Sequence, residues 1–144
     1  MSTRTVVLVS GGFDPTHAGH YAQLQTAFTL AGREGVVLVA LNSDAWLQRK
    51  KGYVFLPWAE RRDILLACRY VDTVVAVEDQ DETVATALEQ YQPTYFVKGG
   101  DRLVLPEREA QVCRALGIQV VFGAGGPKVQ SSSALVARLK QAAA

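Results

Sequence analysis

Five short apolar runs constrain this 144-residue chain more than any other feature: TVVLVS, GVVLVALN, TVVAVE, PTYFVKGG and IQVVFGAGG. A strand that is apolar on both faces has to be covered on both faces, and a parallel sheet layered between helices does this. The segments between the runs carry helical signatures. HAGHYAQLQTAFTLAG puts Tyr21, Leu24, Phe28 and Ala31 at helical spacing on one expected face and stops at Gly32. PWAERRDILLACRY starts with Pro57 at or near its first turn. DETVATALEQY aligns Val84, Leu88 and Tyr91, PEREAQVCRALG stops at Gly117, and SSSALVARLKQ opens on serines suited to a cap. Right-handed crossovers then predict a doubly wound, five-stranded parallel α/β sheet, expected as one domain over residues 1–144.

Composition narrows the function classes. Hydrophobic residues at 49% and charged residues at 20% exclude a disordered chain. No apolar run approaches the ~20 residues of a membrane span. The N-terminal MSTRTVVLVSGG reads as a first strand without the pattern of a signal peptide, so a cytoplasmic protein is expected. In that compartment Cys68 and Cys113 read most simply as buried free thiols, with a disulfide between them left open. Fifteen basic against fourteen acidic residues give a net charge of +1, and nothing global draws the chain to nucleic acid or to a membrane surface. An anionic ligand has to be caught locally.

In doubly wound sheets ligands bind beyond the carboxyl ends of the strands. Four of the exits here read SGGFDPTHAGH, LNSDAWLQRKKG, VKGGDR and FGAGGPKVQSSS, while DQDET after the third run reads as an ordinary helix start. Glycine, lysine, arginine, histidine and serine at one edge make up the chemistry of a backbone-lined phosphate site. Gly11 and Gly12 admit close approach of a ligand. His17 and His20 lie three apart on the first helical turn, where imidazoles and the helix N-terminus together suit phosphate oxygens. Asp14, His17 and His20 are also spaced as a zinc triad, which would suit a metal-dependent hydrolase. Against it, Asp14 precedes a proline and is pushed out of the helical region, so its side chain is expected to leave the histidine face. Neither a P-loop nor a GxGxxG fingerprint occurs at this exit.

FDPTHAGH resembles the T/HxGH signature of the nucleotidylyltransferase superfamily. The other exits extend the resemblance in order: LNSD followed by RKKG, PWAERR, VKGGDR and QSSS are similar to VNSD…RLKG, PxxxR, VKGGDY and the late STT element. The chain is most similar to the glycerol-3-phosphate cytidylyltransferase and heptose-phosphate adenylyltransferase branches, with KGGD leaning to the heptose branch. It departs from that branch at Arg102, where tyrosine is usual, and by about two residues between Gly52 and Pro57.

The resemblance implies the Rossmann-like nucleotidylyltransferase fold and transfer of a nucleoside monophosphate from ATP or CTP to a phosphorylated small molecule, a sugar or polyol phosphate, with release of pyrophosphate. It implies Mg²⁺ on the triphosphate and leaves a homodimer open. His17, His20 and Lys51 are implied to be catalytic, with Lys51, or Lys50 given the doublet, on a mobile loop that reaches the α-phosphate. Gly11, Gly12, Phe13, Thr16, Arg61, Lys98, Gly99, Gly100, Asp101, Ser131, Ser132 and Ser133 are implied to bind the nucleotide. Arg102 and Asp14 are expected at the acceptor. A non-catalytic nucleotide sensor built on the same pocket stays open, and pyrophosphate release separates it from the enzyme.

Overall fold

The computed structural model describes residues 4–100, 102–128 and 130–143. Asp101, one of the expected site residues, lies outside them. The five apolar runs form the strands β1 (Val6–Gly11), β2 (Val36–Leu41), β3 (Thr73–Ala76), β4 (Tyr95–Gly99) and β5 (Gln119–Ala124). The helices between and after them are α1 (Ala18–Ala31), α2 (Asp44–Lys51), α3 (Trp58–Leu66), α4 (Ala85–Tyr91), α5 (Glu107–Leu116) and α6 (Ser132–Ala143).

All pairings are parallel and the strand order is β3-β2-β1-β4-β5. Val6 sits opposite Val36, Val7 opposite Tyr95, and Tyr95 opposite Gln119. The unbroken apolar sequence of β1 follows from two-sided burial. Val7 and Val9 point into one core with Leu24, Ala27, Val37, Val39 and Leu65. Leu8 points into the other with Leu38, Val84, Leu88, Phe96 and Cys113. Val7, Leu8 and Val9 are all fully buried, each stabilising the fold by roughly 1.5–3 kcal/mol.

Three expectations change. The buried face of α1 is Leu24, Ala27 and Ala31, whereas Tyr21 and Phe28 remain 37% and 45% exposed. Both aromatics have helical spacing, but the small side chain of Ala27 lets the helix lie close to the sheet and turns them to its flank. There the Phe28 ring meets Tyr70 at 5.3 Å between centroids. Second, the segment carrying Lys50 and Lys51 is a helix, α2, and not a loop. Ser43 caps it by accepting from the Trp46 N–H at 3.0 Å, and Gly52 closes it at φ 82°. Third, the acidic exit after β3 has a structural role beyond a helix start. Buried Asp79 accepts from the Asn42 side chain and from both the N–H and the hydroxyl of Ser43, so it fixes the point where β2 becomes α2. Gly32 and Gly117 end α1 and α5 as expected, with φ of 74° and 68°.

Candidate active site

The strand order reverses between β1 and β4, so their connections leave on opposite faces and open a crevice at the carboxyl ends. A cleft of about 700 Å³ occupies that place. It is lined by the exits of β1, β4 and β5 and by the first turns of α1 and α6.

His17 and His20 form its central feature. His17 is the N-cap of α1, and its Nδ1 accepts from the Gly19 N–H at 3.1 Å. His20 reaches back, and its Nδ1 accepts from the His17 N–H at 3.1 Å. This is the reciprocal capping arrangement, made here by two imidazoles. A nitrogen that accepts a backbone N–H carries no proton, so both rings are neutral with their proton on Nε2. Burial, then the charges of Lys128 and Lys51, lower the pKa of His17. Burial, then His17 and Lys51, push His20 down to about 3. Phe13 is buried at φ 50°, an uncommon backbone for a bulky residue, and its ring tilts against His20 at 4.6 Å.

Cations surround this pair. Lys51, in the last turn of α2, lines the cleft, while Lys50 is exposed outside it. Burial lowers the pKa of Lys51, partly offset by Asp14. Lys98 and Arg102 enter from the exit of β4, and Lys128 enters from the exit of β5. No aspartate or glutamate lines the cleft among the described residues. Mg²⁺ prefers carboxylate and phosphate oxygens, so these side chains do not form a site for it.

Gly99 and Gly100 line the cleft, as do Gly11, Phe13, Ser131, Ser132 and Ser133. Ser131 caps α6 by accepting from the Ala134 N–H at 3.0 Å. The Ser132 hydroxyl donates to the Pro15 carbonyl at 2.7 Å and ties α6 to the loop before α1. Gly125 allows the exit of β5 to cross α1. It adopts φ 81°, and a Cβ there would lie 2.8 Å from the backbone nitrogen of Gln23.

Four expected residues sit elsewhere. Arg61 is fully buried below the cleft. It donates to the carbonyls of Leu56, Gly12 and Asn42 at 2.8–2.9 Å and pairs with Asp44. It therefore ties the exits of β1 and β2 to the segment before α3 and does not line the cleft. Asp14 is also buried, and its two carboxylate oxygens accept from the N–H groups of Phe55 and Leu56 at 2.6 Å. That engagement removes Asp14 from the cleft lining, and the zinc triad with His17 and His20 does not assemble. Among the described residues no cluster of three ligating side chains forms elsewhere. Gly12 contributes its carbonyl to Arg61, and the Thr16 hydroxyl faces the Phe13 carbonyl at 3.5 Å. The cleft also holds residues outside the expected set, among them the side chains of Gln23, one turn beyond His20 on α1, Lys128 and Gln130. Spacing from His20 could have found Gln23, and the lysine within a glycine-rich strand exit could have found Lys128.

The cytidylyltransferase-like family model matches residues 8–123. The bifunctional protein HldE of Streptomyces coelicolor is 38% identical over 143 residues, 96% of this chain and 29% of that protein. The HldE of Geotalea uraniireducens is 38% identical over 125 residues, 85% of this chain and 23% of that protein. The chain thus spans about a quarter of the length of these relatives. A lipopolysaccharide core biosynthesis protein from Thermoplasma volcanium shares the fold, with a TM-score of 0.65, 22% identity, and coverage of 83% of this chain and 93% of that one. With the family match running from β1 to β5 across the capped histidine pair, the chain belongs to the cytidylyltransferase-like family of nucleotidyltransferases.

Proposed function

We propose that the protein transfers a nucleoside monophosphate from a nucleoside triphosphate to the phosphate of a sugar or polyol phosphate and releases pyrophosphate. One observation carries this reading. Two neutral imidazoles offer Nε2–H donors from a helix N-terminus into a cleft lined by Lys51, Lys98, Arg102 and Lys128 and, among the described residues, by no carboxylate. Such a cleft suits a polyphosphate at one end and a phosphate monoester at the other.

In this reading an acceptor phosphate oxygen attacks the α-phosphorus in line. The new O–P bond forms as the bond to the bridging oxygen of the β-phosphate breaks, and pyrophosphate leaves with that electron pair. The attacking oxygen is already anionic, so no strong base is needed. His17 and His20 donate to oxygens on which charge builds, and Lys51 adds a cation there. Lys128 and the N-terminus of α6 at Ser131 to Ser133 hold the leaving phosphates. The backbone around Gly99 and Gly100 reads the base, and Arg102 captures the acceptor phosphate.

The resemblance of LNSD…KKG and VKGGD to the heptose-phosphate branch favours a heptose-phosphate acceptor and ATP over CTP. Pyrophosphate release from the four nucleoside triphosphates, measured against a panel of phosphorylated sugars and polyols, tests both points. Turnover is expected with a sugar phosphate and ATP. Tight nucleotide binding without pyrophosphate release from any pair would make the protein a nucleotide sensor instead.

A further inference from the structure

Glu109 of α5 is an unusual residue for a core. Its side chain is 4% exposed, and it sits beside Cys113 on the face that α5 buries. One oxygen, Oε2, accepts from the Val84 N–H at the start of α4. The other, Oε1, makes no hydrogen bond. It lies 3.4 Å from the Lys98 ammonium, a charge contact whose angles fall outside those of a hydrogen bond. Lys98 is the last lysine before the Gly99-Gly100 turn and lines the cleft. Its Nζ rests 4.6 Å from the centre of the Phe96 ring. The buried carboxylate thus contacts the ammonium of a cleft residue without lining the cleft itself.

We propose that Glu109 is a positioning residue for Lys98, holding its ammonium charged and turned toward the cleft, where Lys98 and Arg102 together capture the acceptor phosphate. The proposal rests on the nucleotidyltransferase reading for the identity of that phosphate.

The electrostatics agree with the geometry. Burial lowers the pKa of Lys98, Glu109 opposes this, and Arg102 adds to the lowering. Cys113 also faces the pair, and burial pushes its thiol up, so it stays neutral beside the ion pair. Glu109 is thus the one anion in contact with Lys98 among the described residues. An ammonium left buried beside a guanidinium without it would release its proton more readily.

Glu109→Gln tests this. The amide oxygen keeps an acceptor for the Val84 N–H while the charge is lost. The Nζ titration of Lys98, followed by NMR in the nucleotide-free protein, is expected to move to lower pH. The acceptor KM is expected to rise about tenfold at neutral pH, with the triphosphate KM unchanged, and the alkaline limb of kcat/KM to move down with the Lys98 titration. An unmoved Lys98 midpoint in folded Glu109→Gln protein overturns the proposal, and so does a moved midpoint with an unchanged acceptor KM. Should Glu109→Gln not fold, Lys98→Arg keeps a partner for Glu109 and cannot lose its charge. It is expected to abolish the alkaline limb, and a limb that persists overturns the proposal. If no acceptor releases pyrophosphate, the proposed activity fails on its own. The Lys98 titration and calorimetry with inorganic phosphate then still decide the role of Glu109.

Discussion

The imidazoles of His17 and His20 stack with 3.8 Å between their centroids and 28° between their planes, and each uses its Nδ1 to cap the same helix. Structure and proposed chemistry share these rings: one nitrogen holds α1, and the other is free to meet a ligand.

The two roles can be separated at His17. Asparagine is among the best N-cap residues, so His17→Asn keeps the cap and loses the outward donor. It is expected to melt within a few degrees of the parent and to lose roughly 10²–10³-fold in kcat, the usual scale for one preorganised donor. Steady-state pyrophosphate release and thermal melting check this. Near-parental turnover would remove His17 from the chemistry.

At His20 burial of the neutral ring predicts a pH dependence of stability. Its folded pKa, about 3, lies below the ordinary 6.5. Between these values the unfolded chain binds more protons than the folded one, so stability rises with pH there. The contribution of His20 is complete above about pH 6.5 and is lost as pH falls toward 3. His20→Gln keeps an acceptor at this capping position and removes the titration. Urea unfolding between pH 4 and 7 is expected to show a shallower slope for His20→Gln than for the parent; equal slopes would contradict burial of the ring in its neutral form.

The lysines divide by place. Lys51 lines the cleft and Lys50 does not. Lys51→Ala is expected to lower kcat with little change in nucleotide affinity, since a group that acts on the reacting phosphate matters more in the transition state. Lys50→Ala is expected to be close to parental. Lys128→Ala is expected to weaken triphosphate binding about tenfold, the scale of one charge-assisted hydrogen bond, and to raise the pKa of His17, which Lys128 now lowers. Calorimetry and histidine NMR read the two effects separately.

Arg61 is expected to matter for folding. A lysine ammonium cannot span Leu56, Gly12, Asn42 and Asp44 as the guanidinium does. Arg61→Lys leaves buried carbonyls without donors, each costing about 1–3 kcal/mol. The expected fall in Tm is of order 5–10 °C for a domain of this size. An unchanged Tm with a raised nucleotide KM would return Arg61 to the ligand.

The apolar runs already specify the sheet and the edge at which the cleft opens. Strands buried on both faces leave unbroken apolar runs such as VVLV and VVLVAL, and the residues just past them are those the topology gathers at one end. His17, His20, Lys51, Lys98 and Ser131 were legible for that reason. The segment of α2 reads as a loop because of its run of basic residues, and the caps at Ser43 and Gly52 show it to be a helix. What Arg61 and Asp14 bind emerges only once the chain has folded. A guanidinium or carboxylate near a phosphate site suits a ligand and a buried loop backbone equally well. The choice depends on whether Gly12 and Asn42 reach Arg61, and Phe55 and Leu56 reach Asp14, from distant parts of the chain. The same holds for Glu109 and Lys98, eleven positions apart by number, which become an ion pair only when α5 packs back against the end of β4.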